Sequence, residues 1–288
     1  MTPPESTPEQ LRRRRQIAGL VLVVPFLVLG YLGLQAAFFP AADTEGARVL
    51  DMSVESAAVG EELEVDAVVP EGGGSGRPLL VFLHGHGGSN DSFSANEALF
   101  EALAGLGERA PVILFPDGGE NSYWHDRAEG GWGRYVVEEA IPLAARATGA
   151  DASRVAIGGI SMGGFGAYDL ALEHPGRFCA VGGHSPALWL SRGESAPSAF
   201  DDAEDFERHD VIEALRDDPG AFGDIPVWND TGFADPFLIG DAAFVKALEA
   251  GEAEVVARTW PGGHDELYWD EHWDEYLRFY ARSLAGCR

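Results

Sequence analysis

The decisive stretch is Val155-Ala156-Ile157-Gly158-Gly159-Ile160-Ser161-Met162-Gly163-Gly164. A short apolar run leads into Gly-x-Ser-x-Gly, and the segment Phe165 to Glu173 that follows is helix-like. Strand, sharp turn and helix are the setting in which a serine hydroxyl is lifted out of a sheet edge as a nucleophile. Such a turn puts the serine backbone in a strained conformation, and Gly159 and Gly163 let strand and helix approach. The helix N-terminus behind Ser161 offers N–H groups and partial positive charge to a developing oxyanion.

Working outward, buried strands and helices alternate. Val49–Val54 and Leu63–Val69 alternate like an antiparallel edge hairpin. Leu79–Leu83, Val112–Phe115 and Val155–Ile160 are continuous apolar runs, as expected of strands covered on both faces. Phe178–Gly182, Pro226–Trp228 and Glu254–Thr259 supply further strands. Helices are expected over Phe93–Leu103, Tyr135–Thr148, Phe237–Ala250 and Glu266–Leu284. The alternation predicts an α/β fold, a mostly parallel sheet with helices on both faces. Leu190–Phe222 is acidic with irregular apolar spacing, and reads as an excursion over the C-terminal sheet edge, where a lid or substrate loop belongs.

A serine hydroxyl needs a base within hydrogen-bond reach and a carboxylate to orient that base. In this arrangement the chain order is Ser, then Asp or Glu, then His. His264, in Pro261-Gly262-Gly263-His264-Asp265 between the last strand and last helix, is the expected base. Asp235, before a helix start, is the expected acid. Asp230, nearer the preceding strand, is its main rival, with Asp241 and Asp265 behind, and helix capping is the bland reading of each. The expected oxyanion donors are the backbone N–H groups of Met162 and of His86, with Gly87 as the alternative, in His84-Gly85-His86-Gly87-Gly88. Trp124, His125 and Asp126, together with His184 and Trp189, are candidates for a substrate wall, against ordinary packing. His84, His86 and His125 suggest a metal at first sight, but no carboxylate-rich ligand set adjoins them in sequence. No metal or other cofactor is expected.

Composition bounds the partners. The 288 residues hold 47 acidic and 20 basic side chains, a formal charge of −27. The first 42 residues carry +2, leaving −29 on the rest, so nucleic acid is excluded as a partner. Residues 1–16 read as a cytoplasmic tail containing Arg12–Arg15, and 17–39 as an uncharged transmembrane signal anchor. As a helix, that anchor would span roughly 34 Å. By the positive-inside rule the catalytic domain, 47–288 after a 40–46 linker, would lie outside the cytoplasm. A cleaved, secreted form is the rival. Cys179 reads as a buried free thiol, and a disulfide with Cys287 is the alternative.

The ordered set Leu83-His84-Gly85-His86-Gly87-Gly88, Phe115-Pro116-Asp117-Gly118, Ser122-Tyr123-Trp124-His125-Asp126, Gly159-Ile160-Ser161-Met162-Gly163-Gly164 and Pro261-Gly262-Gly263-His264-Asp265 resembles one esterase group of α/β-hydrolases. That group holds esterase D, feruloyl and acetyl-xylan esterases and the antigen 85 mycolyltransferases. The resemblance covers about residues 48–285. It implies the eight-stranded α/β-hydrolase fold and carries the triad onto Ser161, Asp235 and His264. The implied activity is a serine carboxylesterase working on a small-molecule ester or an envelope lipid or sugar ester. The alternative is an extracytoplasmic acyltransferase with the same triad. A catalytically silent binding protein on the same scaffold is the reading from another class. The antigen 85 pattern has Asp-Gly at the oxyanion loop and Glu as acid, where this chain has His-Gly and Asp.

Overall fold

The computed structural model describes residues 42–251 and 253–287. An eight-stranded sheet is formed by β1 (Arg48–Glu55), β2 (Glu62–Val69), β3 (Pro78–Leu83), β4 (Val112–Pro116), β7 (Asp151–Ile160), β8 (Val181–His184), β9 (Val227–Gly232) and β10 (Val255–Trp260), in the order β1-β2-β4-β3-β7-β8-β9-β10. A separate two-stranded ribbon pairs β5 (Asp126–Arg127) with β6 (Gly130–Gly131). Strand β2 runs antiparallel to both its neighbours, and every other pairing in the large sheet is parallel.

Alternation along the central strands divides the core into two layers. Leu79, Val81 and Leu83 face one side of β3, and Leu80 and Phe82 the other. In β4, Val112 and Leu114 oppose Ile113 and Phe115 in the same way. One layer is covered by α2, which begins as an α-turn at Trp132–Arg134, loosens into a π-helical turn at Tyr135–Ala140 and continues as Ile141–Thr148. It shares that face with α3 (Met162–Glu173), α5 (Val211–Asp217) and α6 (Leu238–Leu248). The other layer is covered by α1 (Glu97–Leu106) and α8 (Trp273–Gly286). The excursion over 190–222 carries α4 (Ala203–Arg208) and α5 and docks on the α3 side through Phe200, Phe206, Leu215 and Phe222.

Several expected boundaries shift. The first helix starts only at Glu97, where the Asn96 side chain caps it by accepting from Leu99 N–H at 2.9 Å, and Asn90–Phe93 forms a separate 3₁₀ turn. The strand expected over Phe178–Gly182 is displaced to Val181–His184. The one expected over Pro226–Trp228 extends to Gly232, drawing Asn229, Asp230 and Thr231 into the buried sheet. The last helix is two, α7 (Glu266–Asp270) and α8, broken near His272, whose ring stacks on Trp260 at 3.9 Å.

Cys179 is not a free thiol. It is bonded to Cys287 with Cα atoms 5.5 Å apart, because the end of α8 returns beside the start of β8. Among the described residues no helix is long and apolar enough to cross a membrane; the anchor at 17–39, and the tail before it, lie outside those residues.

Candidate active site

Ser161 sits between β7 and α3 with φ 56° and ψ −115°, a conformation costly for a side chain bearing Cβ. The surrounding backbone holds it there. Ser161 N–H donates to His184 carbonyl at 3.0 Å, and its own carbonyl accepts from Ala187 N–H at 2.9 Å. The crossing of strand and helix requires glycine. A Cβ on Gly159 would lie about 2.6 Å from the Leu83 and Gly163 carbonyl oxygens, and one on Gly163 would collide with Leu83 carbonyl.

His264 reaches Ser161 from the loop after β10. Its Nε2 is 2.8 Å from Ser161 Oγ, and its Nδ1 is 2.9 Å from Asp235 Oδ2. Asp235 is buried in the turn after β9, and its second oxygen accepts from Phe237 N–H at 2.8 Å. The carboxylate can only accept, so the His264 proton sits on Nδ1 and Nε2 is the acceptor for the serine hydroxyl. Phe237 and Trp269 flank the imidazole, with ring centroids 5.1 and 5.2 Å away.

The rival acids face elsewhere. Asp230 is fully buried and accepts from Trp228 Nε1 at 2.7 Å and from the Tyr268 and Tyr276 hydroxyls at 2.8 and 3.0 Å. It also lies 2.7 Å from His184 Nδ1. Asp265 caps α7 by accepting from Tyr268 N–H at 3.1 Å. Asp241, on α6, is buried beside Asn229, Thr231 and Asp235. Burial and the neighbouring Asp235 charge push its carboxyl well above the ordinary range.

The loop expected to supply an oxyanion donor is a tight turn closed by Gly88 N–H to Gly85 carbonyl at 3.0 Å, with Gly87 at φ 73°. Gly87 N–H is consumed by Glu120 carbonyl at 2.8 Å, whereas the N–H groups of His86 and Met162 have no acceptor among the described residues. Gly85 packs against the serine, where an added Cβ would sit 3.3 Å from Ser161 Cβ.

A residue to which the sequence reading gave no role fixes this turn. His84 is buried, and its Nε2 accepts from Gly118 N–H at 2.9 Å. Its proton must therefore lie on Nδ1, which donates to Gly85 carbonyl at 2.8 Å. Asp117, 3.8 Å from Nε2, accepts instead from Gly119 N–H at 2.8 Å.

The expected substrate wall is elsewhere. Trp124 is wholly buried, its indole N–H donating to His84 carbonyl at 3.2 Å, so it supports the oxyanion turn from behind. His125 is buried against Asp205, and His184 is buried between Asp230 and the Tyr280 hydroxyl. Asp126 pairs with Arg134 at 2.6 Å. Trp189 packs among Tyr123, Phe165, Phe200 and Phe237. None of these five lines the cleft at Ser161. That cleft, about 850 Å³, opens toward α1 and α7 and is walled by Phe93, Ala98, Trp269 and Trp273, with Asn96 and Asp270 bonded at 2.6 Å. The sequence hid this wall because, beyond the loop after β3, Ser161 and His264, its lining comes from helix starts distant in sequence.

The sheet order, its antiparallel second strand and the serine at the turn from β7 into α3 define an α/β-hydrolase fold. The structure of a ferulic acid esterase superposes with a TM-score of 0.73 at 20% identity, covering 82% of this chain and 99% of that one. An S-formylglutathione hydrolase from Agrobacterium tumefaciens gives 0.72 at 20% identity, covering 85% and 99%. The family model described as "Putative esterase" matches residues 56–280, and the chain belongs to that family. Among curated proteins it is similar to Esterase Rv1288 of Mycobacterium tuberculosis, 26% identical over 176 residues. That match covers 54% of this chain, which spans only 38% of the relative's length. The diacylglycerol acyltransferase/mycolyltransferase Ag85B of Mycobacterium intracellulare is 28% identical over 232 residues, covering 74% of this chain and 66% of the relative.

Proposed function

We propose that this chain is a serine carboxylesterase in which Ser161, His264 and Asp235 form the catalytic triad. The observation that carries the reading is the hydrogen-bond chain from Ser161 Oγ through His264 to Asp235 at the floor of an open cleft. His264 Nε2 removes the hydroxyl proton as Ser161 Oγ attacks the ester carbonyl. The tetrahedral oxyanion is received by the N–H groups of His86 and Met162. Collapse expels the alcohol, which takes the proton from His264, and leaves an acyl-enzyme. Water, deprotonated by the same imidazole, then releases the acid and restores the serine. Asp235 keeps the ring in the required tautomer and stabilises the imidazolium. No step calls on a metal or other cofactor.

The test is a burst experiment with p-nitrophenyl esters of increasing acyl length. Wild type is expected to show a burst followed by turnover, and Ser161→Ala neither. Full esterase activity in Ser161→Ala would overturn the reading.

The similarity to Ag85B favours one second reading, transfer of the acyl group to an alcohol instead of water. Under that reading an added acceptor alcohol accelerates turnover and is recovered as its ester.

We further propose that the enzyme works outside the cytoplasm, held by the 17–39 segment as an anchor. The Cys179–Cys287 bond supports this, since disulfides persist in oxidising compartments. Membrane fractionation of cells expressing the full chain, followed by alkaline extraction, tests the anchor; release of the intact protein by alkali would sink it.

A further inference from the structure

Behind the substrate cleft, on the α3 side of the sheet, two histidines and three acids converge without any role in the proposed chemistry. Asp205 and His209 lie four residues apart, Asp205 in α4 and His209 at its C-terminal cap, hence on one helix face. Asp169 and Glu173 lie four apart on α3. His125 joins them from the loop before β5. His125, Asp205, His209 and Asp169 are all buried, in a protein interior that otherwise excludes unpaired charge.

The orientation of the rings points to a cation. Asp169 accepts from His209 Nδ1, with both oxygens at 3.0 Å. That leaves His209 Nε2 directed at Asp205 Oδ1, 3.8 Å away. A carboxylate on one ring nitrogen with the other nitrogen facing further ligands is the arrangement of metal-bound histidines. His125 Nε2 lies 3.1 Å from Asp205 Oδ2, while its Nδ1 is buried with no hydrogen-bond partner. Asp205 is therefore the only partner of that ring, and a divalent cation that displaces the Nε2 proton gains both an imidazole and a carboxylate. The ring then carries its proton on Nδ1, with the Nε2 lone pair and Asp205 both facing the ion.

Ligand spacing agrees. Atoms bound tetrahedrally at 2.0–2.1 Å stand about 3.3 Å apart; His125 Nε2 is 3.1 Å from one Asp205 oxygen and His209 Nε2 3.8 Å from the other, so the separations bracket that value. Arg208 and the Asp201 N–H also bond Asp205, each at 2.8 Å. Each carboxylate oxygen keeps a second lone pair, so these contacts leave room for an ion.

We propose that His125, Asp205 and His209 bind a zinc-class divalent cation, with Asp169 orienting His209. Two imidazoles and a carboxylate suit zinc or cobalt rather than calcium or magnesium, which take oxygen ligands. The ion's work is structural. It clamps the 190–222 excursion and the 122–127 loop to α3, the helix that follows Ser161.

The test is calorimetric titration of chelator-stripped full chain with Zn²⁺, alongside the visible spectrum of the Co²⁺ form. One saturable site is expected. His125→Gln and His209→Gln should each weaken it at least tenfold, and Asp169→Asn roughly 10–100-fold. His264→Gln should keep it. Absence of saturable binding to wild type would overturn the proposal, as would binding that both glutamine variants retain or that follows His264. Should either glutamine variant fail to fold, zinc-edge anomalous scattering from soaked wild-type crystals decides: a peak between His125 and His209 supports the site, and a peak only elsewhere refutes it.

Discussion

Gly118 donates its backbone N–H to His84 Nε2 at 2.9 Å, and this single bond fixes which way His84 holds the turn proposed to bind the oxyanion. With Nε2 occupied as an acceptor, Nδ1 is the only donor left for Gly85 carbonyl, and Gly85 is the glycine packed against Ser161. His84 is buried and does not line the cleft, so we assign it a positioning role. His84→Ala should leave the serine in place but let the turn drift. We expect kcat to fall by about 10- to 100-fold with KM nearly unchanged, since an oxyanion donor displaced by an ångström loses much of its value. Steady-state kinetics check this. A loss confined to KM would remove His84 from the catalytic argument.

Two buried aspartates separated by five positions should fail in different ways. Asp235→Asn removes the acceptor that holds His264 in its tautomer, so kcat is expected to drop on the order of 10⁴-fold while thermal stability changes little. Asp230→Asn disturbs a carboxylate that gathers Trp228, Tyr268, Tyr276 and His184 inside the sheet. Its cost is expected to be about 3–5 kcal/mol of stability, with the residual folded enzyme active. Urea denaturation beside kcat distinguishes the two. Equal kinetic losses in both variants would show that Asp235 is not the specific orienting acid.

The contrast between these aspartates also marks how far the sequence could be read. Apolar runs disclosed β3, β4 and β7, because a strand covered on both faces leaves no polar position. The end of β9 was hidden, because Asn229, Asp230 and Thr231 look like loop. Asn229 and Asp230 are tolerated in the sheet because distant side chains supply partners, the Tyr168 hydroxyl 2.9 Å from Asn229 Oδ1 and two tyrosines serving Asp230. The glycine turns around Ser161 and His264 were legible because their spacing is local. The cleft wall was not, since Phe93 and Trp269 are brought together only by the packing of α1 against α7 and α8. For the same reason Trp124 and His125 read as loop aromatics until the fold turned them inward.

The bond between Cys179 and Cys287 closes a loop of 108 residues. By restricting the unfolded chain it should contribute about 2–5 kcal/mol. Cys287→Ser is expected to lower the urea midpoint accordingly. The initial rate with p-nitrophenyl acetate should be unchanged, because the link ties the end of α8 to the start of β8, at the opposite ends of the strands from Ser161. A variant with unaltered stability would mean that the chain end contributes nothing to the folded core.

Asp241 gives the folded protein a pH dependence of defined sign. Burial and the adjacent Asp235 raise its carboxyl well above the ordinary value near 3.8, while in the unfolded chain it ionises in the ordinary range. Between those two values the folded state binds one proton more than the unfolded state, so stability falls as pH rises. The contribution is fully present below the ordinary carboxylate range and declines upward toward the raised folded-state pKa. Asp241→Asn keeps the shape of the protonated acid and cannot ionise. It should therefore raise the melting temperature more at pH 8 than at pH 5, relative to wild type, flattening the profile on the alkaline side. Calorimetric melts of both proteins across that interval provide the check, and parallel profiles would show that Asp241 carries no proton that the unfolded chain lacks.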